Sequence, residues 1–410
     1  MDLNCYFEQW QCLPQLDKKT FTQIRRHLAL KCFKWDAQIG DVSTLAPFAL
    51  ILPTLVWQQL ATLAEKLTSE ANTAELQILQ RPELMKQLGL PRQIVKILSE
   101  KSVQPSPAAA RVVRFDFHPT SDGWRISEAN YDVPGGYTEA SNFSKLMVQQ
   151  FPGTTLAGNP ANKLVDALTQ TIPPKGHIAL LSAAGYMEDQ QITAYLAELL
   201  RQRGCNAYLA TPEQIVWHNG FAHLNSEWYR GSLDAVMRFY QGEWLTKLPL
   251  DCNWSYFFHS SQTPICNPGS MLLVESKRFP LVWNQINSPL DTWKALLAET
   301  HDPRRVNWVT NRHWLFKSAF CNNGDTVTML GMSDRTNYIP TICNILLDPN
   351  NWIAQRYFQT LPLTTPLGIM YPCIGVYTVN GKAAGIYGRI APKPLINFAA
   401  IDIAVLIQDG

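Results

Sequence analysis

The stretch RFDFHPTSDGWRISEANYDVPGG, residues 114–136, places charged and amide side chains on both sides of one short turn. VVRFDF and WRISEAN both alternate between polar and apolar side chains. SDG between them fits a three-residue hairpin loop with its glycine in the left-handed conformation. If the pairing centres on the aspartate of SDG, Asp116 lies opposite Glu128 and Arg114 lies opposite Asn130, and a bulge would shift this register by one. The stretch therefore predicts an antiparallel hairpin.

Strand alternation would place these four polar side chains on one face of the hairpin and Phe115, Phe117, Ser127 and Ala129 on the other. Two carboxylates directly opposite each other repel, so the pair needs a positive charge nearby. Arg114 would supply part of it. Mg²⁺ would supply more, because it prefers oxygen ligands and takes one or two carboxylates alongside substrate phosphates. A solvated hairpin held by salt bridges is the alternative that the pattern leaves open.

Composition restricts the class of protein and the class of partner. The chain has 410 residues and 46% of them are hydrophobic, which predicts two or three domains of about 100–200 residues each. Its 35 basic and 33 acidic residues are spread along the chain, so we expect no nucleic acid and no membrane as partner. Nine cysteines without paired or zinc-site spacing indicate reduced thiols and a cytoplasmic protein.

The first hundred residues have helical periodicity. In WQQLATLAEKLTSEANTAELQILQ, residues 57–80, apolar side chains recur at three-to-four spacing. The most apolar run, LAPFALILPTLVW at residues 45–57, contains two prolines and is shorter than a membrane span. We expect it to form a pair of buried helices.

The pattern changes after residue 175. HIALLS predicts a buried strand, DQQITAYLAELLRQRG an amphipathic helix and NAYLA a second strand, which together are typical of a parallel α/β sheet. Two hairpins follow: WLFKSAF with DTVTMLG, and IGVYTV with KAAGIYGRI across an Asn-Gly turn. The sequence therefore predicts mixed α+β and α/β architecture.

Two further groups of residues indicate ligand binding. Lys317 follows a predicted strand, and Asn323 and Gly324 lie at the tip of the next turn, where backbone amides and an ammonium could approach a phosphate together. Glu188 and Asp189 form a carboxylate pair that suits a cationic amine. An acidic first helical turn explains the same pair equally well.

Several blocks of the sequence resemble the glutathionylspermidine synthase-like, circularly permuted ATP-grasp family. They are KWDAQIGDVSTLAPF, RFDF with GWRISEANYDVPGG, LDAVMRFYQGEWL, TPICNPGSMLLVESKRF, HWLFKSAFCNNGDTV, WIAQRYF and IGVYTVNGKAAGIYGRI. The hairpin block is the most specific, since four polar residue types keep both identity and spacing.

The resemblance implies a division of the chain. Residues 1–105 would form a helical N-terminal region and 106–160 a metal-binding hairpin segment. A Rossmann-like pre-ATP-grasp segment would cover 161–245, and the nucleotide-binding region 246–410. The first hundred residues carry no cysteine and histidine arrangement matching the amidase domain of the bifunctional members, so the resemblance covers the synthetase part only.

The resemblance also implies ATP and Mg²⁺ as cofactors and a role for each candidate residue. Asp116, Glu128 and Asn130 would coordinate magnesium on the ATP phosphates, while Arg114 and Arg389 would stabilise charge on the phosphoryl group and the acyl-phosphate. Lys277 and Lys317 would hold the nucleotide phosphates. The backbone around Gln355 would meet the adenine.

The implied reaction is amide formation between a small carboxylic acid or peptide and an amine. Two departures from the family pattern qualify it. Family members often have Lys-Pro on the strand of Lys317 and an arginine in the loop after it. Here a serine follows Lys317, and the loop reads CNNG. VPGG, residues 133–136, replaces the small hydroxyl residues of the glutathione-using branch. A degenerate member that binds nucleotide without ligating is therefore the alternative.

Overall fold

The computed structural model describes residues 10–40, 42–100, 106–308, 311, 313–320, 327–329, 335–396 and 400–408. The α-helices in these ranges are α1 (Lys18–Lys31), α2 (Thr54–Leu79), α3 (Pro82–Met85), α4 (Arg92–Leu98), α5 (Ser144–Val148), α6 (Pro160–Thr169), α7 (Met187–Gln202), α8 (Leu272–Glu275), α9 (Asp291–Leu296) and α10 (Arg335–Leu347). A π-helical turn covers Glu139–Phe143, and 3₁₀ turns cover Pro212–Gln214, Gly242–Lys247, Leu250–Cys252, Trp254–Phe257, Gly269–Met271, Phe279–Gln285, Pro303–Arg305 and Pro349–Asn351.

The strands belong to several sheets of different size. They are β1 (Gln11–Cys12), β2 (Gln38–Ile39), β3 (Val42–Ser43), β4 (Leu45–Leu52), β5 (Val112–Thr120), β6 (Gly123–Asn130), β7 (Thr154–Leu156), β8 (His177–Ser182), β9 (Asn206–Ala210), β10 (Ile215–His218), β11 (Phe221–Asn225), β12 (Arg230–Ser232), β13 (Ala235–Phe239), β14 (Ile265–Cys266), β15 (Thr300–His301), β16 (Trp314–Ser318), β17 (Thr328–Met329), β18 (Trp352–Arg356), β19 (Leu363–Thr365), β20 (Gly368–Val379), β21 (Lys382–Ala391) and β22 (Ile401–Gln408).

The largest sheet joins distant parts of the chain. Its order is β1-β4-β22-β21-β20-β5-β6, with β19 added beside β20 and β7 beside β22. All of its pairings are antiparallel except that of β22 with β4. Helix α2 packs on this sheet through a stripe at three-to-four spacing that includes Leu60, Ala64, Leu67 and Ala71, all fully buried.

The hairpin of β5 and β6 has a shorter loop than the sequence predicts. Thr120 pairs with Gly123, so the loop contains only Ser121 and Asp122. Gly123 has a φ of 101°, which confirms the expected positive φ. The prediction of a three-residue loop was wrong by one residue.

A bulge on β6 restores the predicted pairing. Asp116 faces Glu128 and Arg114 faces Asn130, whereas the pairs nearer the turn are shifted by one, which leaves Ser127 as the extra residue. Because a bulge adds one residue to one strand, it compensates for the shorter loop. Both predicted pairs are confirmed.

The second predicted hairpin also forms. β20 and β21 pair antiparallel along nearly their whole length around the turn Asn380-Gly381, whose φ values are 49° and 78°. Two positive φ values in a two-residue loop match a type I′ turn, which Asn-Gly favours. This hairpin brings Arg389 toward β5, because β20 pairs with both β21 and β5.

The apolar run at residues 45–57 is not a pair of helices. Its first part is strand β4, which lies inside the large sheet, and only its second part begins helix α2. A strand buried on both faces has a continuous apolar sequence, which periodicity does not distinguish from a buried helix. This segment is a strand because it pairs with β22, which lies more than 340 residues later in the chain.

Two smaller sheets agree with the predicted elements. β14, β13, β8 and β9 form a parallel sheet in that order, which confirms the predicted strand, helix and strand of β8, α7 and β9. β15, β18, β16 and β17 form an antiparallel sheet that confirms the pairing of WLFKSAF with DTVTMLG. The mixed α+β and α/β fold class is confirmed. Within the described ranges, no helix combines the length and the apolar character that crossing a membrane requires.

Candidate active site

Asp116 lies at the centre of a buried charge cluster. Arg114 Nε is 2.7 Å from Asp116 Oδ1 and Arg114 Nη2 is 3.0 Å from Oδ2, which gives a bidentate pair. Arg389 Nη2 donates a third hydrogen bond to Oδ2 at 3.1 Å. The structure therefore brings together the two arginines that the sequence analysis assigned to charge stabilisation.

These arginines keep the Asp116 carboxylate ionised. Burial alone would raise its pKa, since the side chain is only 1% exposed, but Arg114 and Arg389 lower the pKa to about 2. Burial favours the neutral form of Arg114, and the charge of Asp116 outweighs it, so the pKa of Arg114 lies well above its ordinary value. The cluster is charged over the whole physiological pH range.

Gly375 makes room for the bidentate pair, and sequence reasoning missed it. It lies directly opposite Asp116 on β20. A Cβ added there would lie 2.8 Å from Arg114 Cδ and 3.2 Å from Asp116 Oδ1. Any side chain at this position would displace the pair. The signal in the sequence is a glycine inside a strand, which often marks a close approach of another group.

Glu128 faces a different environment from Asp116. The nearest cation is Lys277, whose Nζ is 3.6 Å from Glu128 Oε2, and the Glu128 side chain keeps 22% of its surface exposed. Lys317 approaches the same place and donates from Nζ to the backbone oxygen of Ser127 at 2.8 Å. Two lysines from separate segments thus meet beside Glu128, which is partly open to solvent.

These residues surround a small cavity of about 30 Å³. Glu128, Lys277, Lys317 and Gln355 line it, and its other walls are largely apolar. Gln355 lies on β18 between β15 and β16, and its Nε2 donates to Thr300 Oγ1 at 3.0 Å. Two lysines therefore lie next to apolar side chains around this cavity.

The bulge turns Ser127 toward the polar side of the hairpin. The sequence analysis assigned Ser127 to the apolar face, yet its Oγ lies 3.0 Å from Nε2 of His118, which shares a face with Asp116 by alternation. That assignment was wrong because the bulge breaks the period of two. Burial lowers the pKa of His118 to about 4, so the ring is neutral.

Asn323 and Gly324 lie outside the described residues. Phe320, just before them, is described and lines a second cavity together with Asn130 and Glu275. The predicted role of the CNNG turn in holding phosphate therefore stays a prediction.

Glu188 and Asp189 begin helix α7, at the loop that follows β8. A Cβ on Gly135 would lie 3.6 Å from Glu188 Oε1, and the Gly135 backbone oxygen accepts a hydrogen bond from Arg114 Nη1 at 2.8 Å. Glu188 is thereby close to the arginine cluster. Burial, followed by the neighbouring Glu188, raises the pKa of Asp189 to about 7.

A buried ammonium joins the first part of the chain to the last strand. Lys34 is 4% exposed, and its Nζ contacts Glu139, lies 2.9 Å from Asp36 Oδ1 and lies 3.4 Å from Asp402 Oδ2. The KWD block contains two of these residues, but only the fold reveals the other two. Tyr387 connects this network to the arginines: its hydroxyl donates to Asp402 at 2.6 Å.

The described residues contain no group of three or more His, Cys, Asp or Glu side chains placed to bind a metal ion. Asp116, Glu128 and Asn130 offer two carboxylates and one amide on one face of the hairpin, which is a donor set that fits Mg²⁺ completed by substrate phosphates. The Glu128 side chain keeps 22% of its surface exposed, whereas Asp116 is 1% exposed.

A family model described as "Glutathionylspermidine synthase preATP-grasp" matches residues 54–400. The chain belongs to this family. The match covers most of the chain, including both hairpins and the residues around the cavity. Membership in the glutathionylspermidine synthase family supports a ligase-type function and small-molecule substrates. No curated protein sequence matches the chain significantly.

Two solved structures match this family member to different degrees. One is a glutathione synthetase-like effector from Globodera pallida in its apo form, at 15% identity and a TM-score of 0.60, covering 96% of this chain and 99% of that one. The other, from Methylobacillus flagellatus, is described as a gamma-glutamylcysteine synthetase, at 11% identity and a TM-score of 0.43, covering 80% and 88%. At these identities the first likeness shows a common fold.

Proposed function

We propose that this chain is an ATP- and Mg²⁺-dependent ligase that joins a carboxylic acid or peptide to an amine. The observation that carries the proposal is the cavity lined by Glu128, Lys277, Lys317 and Gln355, four residues from distant segments. It places two lysines next to apolar side chains, and phosphates and a base need these two kinds of contact. Family membership supports the same reaction class.

The reaction has two steps. An oxygen of the substrate carboxylate attacks the γ-phosphorus of ATP, the bond to the β,γ-bridging oxygen breaks, and ADP leaves with the electron pair. The amine nitrogen then attacks the acyl carbon, inorganic phosphate leaves with the electrons of the C–O bond, and the amine proton passes to solvent. Such chemistry needs positioning and charge neutralisation more than a nucleophilic side chain.

The side chains divide these tasks. Lys277 and Lys317 hold the nucleotide phosphates, and Arg114 and Arg389, fixed by Asp116, present guanidinium groups to the phosphoryl group and the acyl-phosphate. Glu128 and Asn130, with Asp116, would hold Mg²⁺, which neutralises phosphate charge when bound. The backbone around Gln355 meets the adenine, and Asn323 and Gly324 belong to the phosphate loop.

Glu188 and Asp189 are the proposed site of the acceptor amine. They lie beside Gly135, whose carbonyl Arg114 binds, so an amine held there would be near the activated carboxylate. Because VPGG replaces the hydroxyl residues of the glutathione-using branch, glutathione is not assumed to be the acid. We also propose domain boundaries at residues 105, 160 and 245. The proposed location is cytoplasmic.

The test has two stages. Thermal unfolding is measured with Mg²⁺ and ATP at millimolar concentration, where binding to the folded state alone raises the unfolding temperature. Lys317→Met should remove that shift, and Lys382→Met, which changes an 81% exposed lysine on the β20–β21 turn, should keep it. Phosphate release is then followed across a panel of acids and amines. Binding without release under any pair would favour the degenerate nucleotide-binding alternative, and no binding would overturn both.

A further inference from the structure

The ring of Tyr387 lies against both arginines of the charge cluster. Arg114 Cζ is 5.1 Å from the centre of this ring, and Arg389 Cζ is 5.5 Å from it. A guanidinium group within about 6 Å of an aromatic ring centre is attracted by the negative face of the ring, and the attraction grows where water is excluded. Tyr387 therefore gives an attractive contact to two cations that repel each other.

The register of the large sheet explains this contact. Gly375 on β20 lies opposite Asp116 on one side and opposite Tyr387 on the other. Because Gly375 has no side chain, the Tyr387 ring can reach Arg114 across it. Arg389 follows Tyr387 by two residues on β21, so both side chains lie on the same face of the sheet.

The hydroxyl of Tyr387 fixes the ring. It donates to Asp402 Oδ1 at 2.6 Å, and Asp402 Oδ2 lies 3.4 Å from the buried Lys34 ammonium. Burial, and then the charge of Asp402, raise the pKa of Tyr387 well above its ordinary value, so the hydroxyl keeps its proton. The ring is thus held at its hydroxyl end by the buried ion network.

The VPGG segment packs against the same ring. A Cβ on Gly136 would lie 3.1 Å from Tyr387 Cδ1 and Cε1, so a larger residue here would press on the ring. The backbone oxygen of Gly135 accepts hydrogen bonds from Arg114 Nη1, at 2.8 Å, and from the Tyr377 hydroxyl. The segment in which this chain departs from the glutathione-using branch therefore contacts both Tyr387 and Arg114.

Arg389 depends on the ring more than Arg114 does. Arg114 donates two hydrogen bonds to Asp116 and one to the Gly135 backbone. Among the residues that the structure describes, Arg389 donates one, from Nη2 to Asp116, and its buried Nε has no hydrogen-bond partner. The Tyr387 ring is therefore a main contact that orients Arg389, and it leaves the other donors of this arginine open to an anion.

We propose that Tyr387 is a positioning residue whose ring orients Arg114 and Arg389 toward the γ-phosphoryl group of the nucleotide. Asp402 fixes this ring through its hydroxyl. The target of the arginines rests on the proposed function. The contacts of the ring with the two guanidinium groups are independent of it.

The first measurement compares two nucleotides. Calorimetric titrations give the dissociation constants of ADP and of a non-hydrolysable ATP analogue, both with Mg²⁺, and the ratio of the two constants measures the contribution of the γ-phosphate. Tyr387→Leu, which removes the ring, should lower the preference for the analogue by about tenfold. Tyr387→Phe, which keeps the ring, should retain most of it.

Tyr229→Leu is the matched control. It removes another half-buried ring, which stacks on His177 and Tyr208 and has no contact with an arginine of the cluster. This variant should keep the wild-type ratio. A merely structural role of Tyr387 would weaken the binding of both nucleotides together and leave their ratio unchanged.

The second measurement needs no nucleotide. In protein labelled with ¹⁵N-arginine, NMR detects the side-chain Nε–H groups of Arg114 and Arg389, which the variants Arg114→Lys and Arg389→Lys assign. We expect Tyr387→Leu to shift both signals and to speed the exchange of the Arg389 proton with water. Tyr387→Phe should keep both signals close to their wild-type positions.

Three outcomes would overturn the positioning role: unchanged Nε–H signals in Tyr387→Leu, an unchanged nucleotide ratio in that variant, or equal effects of Tyr387→Leu and Tyr387→Phe. Circular dichroism melts show whether each variant is folded, and Tyr387→Met replaces Tyr387→Leu if the latter unfolds. Absence of analogue binding in the wild type would refute the proposed function. The NMR measurement would then still decide whether the ring orients the arginines.

Discussion

Asp116 and Glu128 face each other across β5 and β6, yet positive charge surrounds them unequally. Two guanidinium groups lie within 3.1 Å of Asp116, whereas the nearest ammonium to Glu128 is 3.6 Å away. Asp116 is buried and forms ion pairs with the two arginines, whereas Glu128 is part of a cavity wall. The two carboxylates should therefore respond differently to removal of their charge.

Glu128→Gln should abolish magnesium-dependent turnover and leave the fold intact. The side chain is partly exposed and its nearest ion-pair contact is long, so its amide analogue should change the free energy of unfolding by less than about 1 kcal/mol. Phosphate release and chemical denaturation measure the two effects. Full activity in this variant would remove Glu128 from the proposed metal site.

Asp116→Asn should destabilise the protein by about 3–5 kcal/mol, because it leaves Arg114 and Arg389 buried without their counter-charge. Chemical denaturation measures the loss. An unfolding free energy equal to that of the wild type would show that the two guanidinium groups do not depend on this carboxylate.

Gly375→Ala should disturb the Arg114–Asp116 pair, because its Cβ would lie 2.8 Å from Arg114 Cδ. We expect a loss of roughly 1–3 kcal/mol of stability and a marked fall in turnover. Gly135→Ala is the matched control for stability alone, since its Cβ would meet its neighbours at 3.6 Å, an ordinary contact. An equal loss of unfolding free energy in the two variants would contradict the role assigned to Gly375.

Lys34→Met should make stability depend on pH in a specific direction. Burial already raises the pKa of Glu139 and of Asp402, and Lys34 opposes that rise. Without Lys34 the folded state would favour protonated carboxyls even more. A raised pKa of an acid gives stability that is present at low pH and lost as pH rises. The unfolding free energy of the variant minus that of the wild type should therefore rise as the pH is lowered from 8 to 5.

Thermal melts at several pH values measure this difference. A gap between the two proteins that stays constant over that range would exclude the buried carboxylates as its source. Tyr387, Asp36 and Glu188 are the other titratable groups near this network, and each is present in both proteins.

The sequence predicted local elements better than distant contacts. Alternation in VVRFDF and WRISEAN identified the two strands and their faces. The predicted pairs of the first hairpin hold because the bulge at Ser127 offsets a loop that is one residue shorter than predicted. A bulge was open from the sequence, but its position was not predicted. Strand β4 was mistaken for helix because its partner lies at the other end of the chain.

The same difference between local and distant contacts applies to the candidate site. Side chains on one hairpin could be placed from spacing, but the cluster of Arg389 with Asp116 and the meeting of Lys277 with Glu128 required the fold. A glycine inside a strand signals a close approach, but only the fold shows that the group approaching Gly375 is Arg114. Metal and substrate roles, and the boundaries of the domains, stay predictions.

The parallel pairing of β22 with β4 affects how the protein can fold during synthesis. β22 lies between β4 and β21, so the large sheet has a gap until residue 408 has left the ribosome. Until then β4 and β21 each expose an unpaired edge, which is a template for aggregation. Slow translation of β22 should therefore increase the demand for chaperones.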